Sequence, residues 1–225
     1  MNKNLTEIAY ILDRSGSMAG LSEAAITGFN TFLKEQNDTP GDATLSLVLF
    51  DDEYLLHADR SPIQNVPQLD AETYTPRGCT ALLDAIGRTI DNIGKKLAQT
   101  PEKQRPAQVI IAIYTDGYEN ASSDYSVKKI NQMIRHQTDQ YGWEFLFLAA
   151  NQDAIATATS YGIHQANSSV VSADEAGTLA TSASYSRKVK ASRKLSQGCA
   201  DEQDIKDSSA SLSEIVEEET QKQKK

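Results

Sequence analysis

Four nearly uninterrupted apolar runs constrain this chain most: Ile8 to Leu12, Leu45 to Phe50, Val109 to Tyr114 and Phe145 to Ala150. They are short, and they lack the alternation of a strand with one wet face. Such runs read as strands covered on both sides, the habit of parallel sheets. Helical periodicity fills the intervals. Ala25, Phe29, Phe32 and Leu33 share one side of a segment from Leu21 to Gln36, and Leu83, Ile86, Ile90, Ile93 and Leu97 recur at three- and four-residue spacing. Val127, Ile130 and Ile134 mark a third helix from about Tyr125 to Gln140.

Smaller elements complete the pattern. Asp51-Asp52-Glu53 reads as a tight turn into Tyr54-Leu55-Leu56-His57, a short antiparallel partner at the sheet edge. A loop rich in proline and polar residues is expected from Arg60 to Gly78. Ala154 to Tyr161 reads as a short helix, Ser168 to Val171 as a last edge strand and Asp174 to about Lys194 as a final helix. Strands alternating with helices require right-handed crossovers. The expected fold class is therefore α/β: a Rossmann-like doubly wound, mostly parallel sheet with one short antiparallel edge strand and helices on both faces.

At 225 residues the chain is expected to form one domain over 1–195, followed by a polar, acidic, disordered tail over 196–225. Within the tail, Leu212, Ile215 and Val216 offer at most a turn of helix to a partner. The net charge of -9 argues against non-specific nucleic-acid binding. The basic cluster Arg187-Lys188-Val189-Lys190 and Arg193-Lys194 reads first as a solvated helix face, with an anionic surface as the rival reading. No run of about 18 apolar residues suggests a membrane span, and the polar start predicts a cytoplasmic protein. Cys79 and Cys199 sit in unrelated surroundings, so no structural disulfide is expected.

The chemistry concentrates in three short segments: Asp13-Arg14-Ser15-Gly16-Ser17, Gly78-Cys79-Thr80-Ala81-Leu82 and Thr115-Asp116-Gly117. They supply only hard oxygen donors, two carboxylates and three hydroxyls, a set suited to one Mg²⁺-like ion. Asp13 and Asp116 each follow an apolar strand, which places both on the carboxyl rim where doubly wound sheets bind ligands. Each residue also has a plainer use. Ser15 and Ser17 could cap the next helix, Thr80 could cap the helix after it, and Asp116-Gly117 could be a turn.

The three segments together, in this order and context, resemble the motifs of von Willebrand factor type A domains, and the resemblance covers roughly residues 5 to 194. It implies an intact metal-ion-dependent adhesion site. Ser15, Ser17 and Thr80 would ligate the ion through their hydroxyls, and Asp13 and Asp116 would act directly or through water. The ion would be Mg²⁺, alternatively Mn²⁺ or Ca²⁺, and an acidic side chain (Asp or Glu) of a protein partner would fill the open position. Cys79 departs from the glycine that many members carry.

The function expected from this is a divalent-cation-dependent protein–protein interaction module, an adaptor in a larger intracellular complex and not an enzyme. His57, His136 and His164 fall outside the three segments, and neither a P-loop nor a GxGxxG fingerprint occurs. The alternatives are a metal-dependent hydrolase and a metal-independent structural subunit. No nucleic-acid or membrane partner is expected, and the sequence leaves the oligomeric state open.

Overall fold

The computed structural model describes residues 1–223; the tail expectation for 224 and 225 lies outside them. Six strands form one sheet: β1 (Asn2–Asp13), β2 (Asp42–Phe50), β3 (Tyr54–Pro62), β4 (Pro106–Thr115), β5 (Glu144–Ala149) and β6 (Ser168–Val170). Their order is β3-β2-β1-β4-β5-β6, with β3 antiparallel to β2 and every other pairing parallel. The helices are α1 (Ser22–Asn37), α2 (Leu82–Gln99), α3 (Val127–Tyr141), α4 (Ala154–Ser160), α5 (Glu175–Gln197), α6 (Glu202–Ser209) and α7 (Leu212–Gln223). This is the expected α/β class. Among the described residues, no helix is long and apolar enough to cross a membrane.

Alternation along the strands sorts the core into two layers. Ile8, Tyr10 and Leu12 of β1 pack with Phe29 and Phe32 of α1 and with Tyr185 and Val189 of α5. Ala9 and Ile11 face the opposite side, among Ile86, Ile90 and Ile93 of α2 and Ile130 and Ile134 of α3. The Tyr185 hydroxyl reaches into the sheet itself, accepting from the Leu148 amide at 2.9 Å and donating to the Ile113 carbonyl.

Three expectations fail. The edge strand β3 runs past His57 to Pro62, because a bulge after Ala58 lets polar residues continue the pairing with β2. At that bulge Arg60 takes a positive φ of 46°, its amide donates to Ser46 Oγ, and its guanidinium pairs with buried Glu7 at 2.8 Å.

The tail is the second correction. Residues 202–209 and 212–223 are helical, not disordered. A capping box between Asp201 and Asp204 starts α6. In α7, Leu212, Ile215 and Val216 are buried, Leu212 and Val216 within the core layer that includes α5, so their apolar face is used within the chain. The basic cluster is likewise no solvated face: Arg187 and Lys194 pair with acids of the new helices, and Lys188 donates to backbone carbonyls there.

Arg193 of α5 is fully buried. It donates to the carbonyls of Gln36 (2.6 Å) and Gly41 (2.9 Å) and to Gln36 Oε1, closing the end of α1 and the turn into β2. Burial lowers its pKa to about 10, which still leaves it charged at neutral pH. Arg193→Ala would strand those acceptors away from water, so a loss of about 3 kcal/mol is expected from urea unfolding. Arg193→Lys should recover only part of it, since an ammonium lacks the planar fork.

Candidate functional site

The sheet order makes the gap between β1 and β4 the switch point: from β1 the chain winds to β2 on one side, and α2 carries it back to β4 on the other. The expected site residues gather above this gap. Asp13 is the last residue of β1 and is fully buried. Its Oδ1 accepts from the Ser15 amide at 2.6 Å and its Oδ2 from Thr115 Oγ1 at 2.5 Å. The Ser15 and Ser17 hydroxyls lie 3.1 Å apart, and Ser17 Oγ donates to Asp116 Oδ1 at 2.6 Å. Gly117 brings in Thr80: a Cβ there would lie 3.0 Å from Thr80 Oγ1 and 3.5 Å from Ser17 Oγ. All five residues thus converge, and glycine leaves the hydroxyls their room.

The capping alternatives are not what the structure uses. The short 3-10 turn after Ser15 has no side-chain cap, and α2 begins behind Ala81, also without one. Thr80 is buried, yet among the described residues its hydroxyl takes part in no hydrogen bond; its amide donates to Asn120 Oδ1 and its carbonyl accepts from the Asn120 amide.

Residues outside the expected set hold these five in place. Asp51, buried behind β2, accepts from Arg77 Nε at 2.9 Å and lies 3.1 Å from Arg14 Nε. Backbone bonds from Arg77 to Arg14 (2.8 Å) and from Gly16 to Gly78 (3.2 Å) zip the first loop to the second. Gly78 has φ 63°, and a Cβ there would meet Asp52 Oδ1 at 1.9 Å, so no other residue fits without rearrangement. Tyr74 Oη donates to the Asp13 carbonyl at 2.5 Å. On the other flank, Asn120 and Thr80 exchange two hydrogen bonds, and Glu119 accepts from the Leu83 amide. Asp84 accepts from the amides of Ser123, Asp124 and Tyr125.

The two carboxylates of the site are both perturbed by burial. Burial pushes the Asp13 pKa up to about 6, against the lowering by bonds from Thr115 and Ser15, with Asp116 adding repulsion. Burial raises Asp116 as well, with Ser17 opposing. The nearby arginines are occupied by Asp51 and Glu53, and among the described residues neither Asp13 nor Asp116 has an ion-pair partner. No cluster of three His, Cys, Asp or Glu side chains that could hold a metal occurs among the described residues either. Two charge-starved carboxylates beside three hydroxyls fit one hard divalent cation that keeps part of its water.

An unneutralised Asp13 should destabilise the protein as it ionises. Its raised pKa means that the folded chain binds more protons than the unfolded chain between about pH 4 and pH 6, so stability falls as pH rises through that window. In chelator, wild type is expected to lose up to about 3 kcal/mol relative to Asp13→Asn across it. Denaturant midpoints of both proteins at pH 4, 5, 6 and 7 (all approximate set points) check this.

No protein-family model and no curated protein sequence matches the chain. Solved structures do. Proximal thread matrix protein 1 from the mussel byssus superposes with TM-score 0.56 at 14% identity, over 87% of this chain and 46% of that one. The chain therefore spans under half of that protein. The manganese-loaded TRAP protein of Plasmodium vivax gives TM-score 0.54 at 16% identity, over 80% and 73%. A conserved hypothetical protein, BatB, from Bacteroides thetaiotaomicron gives 0.53 at 14%, over 82% and 99%. At these identities the likeness shows the fold alone, a Rossmann-like α/β sheet.

Proposed function

We propose that this chain is a von Willebrand factor A-like interaction module that binds a protein partner through a divalent cation on its carboxyl rim. The observation that carries the reading is the convergence of Asp13, Ser15, Ser17, Thr80 and Asp116 from three separate loops, tied across 99 positions by the Ser17–Asp116 bond. Ser15, Ser17 and Thr80 would hold the ion through their hydroxyls, while Asp13 and Asp116 accept hydrogen bonds that aim those loops. Mg²⁺ is the cation we favour, with Mn²⁺ and Ca²⁺ as alternatives; the manganese-loaded state of the Plasmodium protein that shares the fold supports a divalent ion.

Neutral hydroxyls cancel little of the ion's charge, so when bound it supplies an electrophilic position that suits a carboxylate from outside. A partner presenting Asp or Glu is the matching chemistry. Tyr118, next to Gly117 and 59% exposed, offers that partner an apolar contact beside the ion. The reading includes no catalytic step. Among the described residues no histidine hydrogen-bonds to any of the five.

Calorimetric titration of chelated protein with Mg²⁺ tests the proposal. Saturable binding is expected by about millimolar metal, and it should vanish in Asp13→Ala and Thr80→Ala variants that keep their circular dichroism. Metal should raise the wild-type melting temperature and leave both variants unmoved. Wild type that takes up no metal under those conditions would remove the cation from the account and leave the fold standing.

A further inference from the structure

We propose that the groove formed by α5 beside β6 is a second acceptor surface, one that takes an acidic amphipathic helix from a protein partner, and that α6 and α7 are its displaceable resident. The surface is distinct from the cation-site rim, and the inference does not rest on metal binding.

The resident's grip is unevenly built. The only buried side chains of α6 are Asp204 and Asp207, while its one large apolar residue, Ile205, is 54% exposed. The helix therefore adheres by charge. Arg187 of α5 pairs with Asp207 (2.6 Å), Glu218 (2.8 Å) and Glu219 (2.8 Å), and Lys194 pairs with Asp204 (2.7 Å) and Asp201 (3.3 Å). Lys188 Nζ donates to the Ser208 and Ala210 carbonyls at 2.7 Å each, closing the end of α6. Of these acids Glu218 and Asp201 are exposed, and their pairs are the ones that contribute little singly and are screened by salt. Only α7 adds apolar anchorage, through Leu212, Ile215 and Val216, with Ser213 Oγ donating to the Ser168 carbonyl of β6.

The groove itself has a definite preference. It presents Arg187, Lys188 and Lys194 of α5 to the α6–α7 segment, whose Leu212 and Val216 join the core layer that holds Val171 and Val189. Lys190, lining the charged cleft of about 420 Å³ between these helices, has no ion-pair partner among the described residues. A matching ligand carries acids three residues apart, as at Asp204 and Asp207, and apolar residues at i, i+3 and i+4, as in α7. The link from α5 is short: Gly198, at φ 75°, then Cys199 and Ala200. So brief a tether keeps the resident at high effective concentration, and a partner gains entry once the ion pairs loosen.

The test uses the full chain with Asp204→Asn and Asp207→Asn combined, and a fluorescent peptide of residues 200–223 as the probe. Hydrogen exchange of the variant should quicken across α6 and α7 while α5 and the strands keep wild-type protection. The peptide should bind the variant about tenfold more tightly than wild type, weaken as salt rises from about 0.05 to about 0.5 M, and lose binding when Arg187→Ala is added. Wild type alone carries a parallel readout: exchange across α6 should quicken with the same rise in salt. Salt-independent exchange in α6, or a freed groove that ignores the peptide, overturns the proposal. A variant that runs as a dimer with α6 and α7 again protected also overturns it, because the occupant is then a second copy of this chain.

Discussion

Ending the central strand on a buried carboxylate imposes demands that spread through the whole rim. Asp13 lies where water cannot solvate it, so the chain must bring donors to it: the Ser15 amide from its own loop and the Thr115 hydroxyl from the neighbouring strand. Those two bonds draw the first and third loops together. The Asp13 backbone carbonyl is used as well, by Tyr74 from the long connection before α2. One ionisable side chain, set at the place where the sheet reverses its winding, thus recruits three parts of the chain far apart in sequence.

A second buried carboxylate works differently. Asp51, one strand over, is compensated by Arg14 and Arg77, and it holds the loop backbone in register. The contrast between Asp13 and Asp51 separates scaffold from site. At Asp51 the protein supplies guanidinium groups and the charge is settled internally; at Asp13 it supplies a hydroxyl and an amide. On the far side of the molecule, Arg193 is buried with carbonyl oxygens in place of acids.

Much of this was legible in the sequence. The strands β1, β2, β4 and β5 announce themselves because burial on both faces leaves a continuous apolar run, and α2 because its apolar stripe is unbroken. That Asp13, Ser15, Ser17, Thr80 and Asp116 would meet on one rim was readable from their place after strand ends and from the resemblance of the three segments to a known motif set. Their supports were not: Tyr74, Asp51, Arg77 and Asp84 act across long separations, and nothing local marks a tyrosine that will meet a carbonyl 61 residues away. Polar β3 hid behind its bulge. The C-terminal helices hid behind their acidity, since composition suggests solvation unless the cations of α5 are known to lie opposite. The capping patterns at Asp201 and Asp204 and at Ser211 and Glu214 were the local signs of order there.

The hydroxyl of Tyr185, lodged between β4 and β5, bears on the order in which this molecule assembles. A parallel ladder ordinarily needs only its two strands, whereas here the bonds of Ile113 and Leu148 are completed by a side chain that arrives 72 and 37 positions later, respectively. The right half of the sheet cannot reach its final hydrogen bonding until α5 has been made and laid down. Closure of so distant a contact is slow relative to local helix formation. The last third of the chain thus completes hydrogen bonding in the strands that carry the rim, through the two bonds of Tyr185.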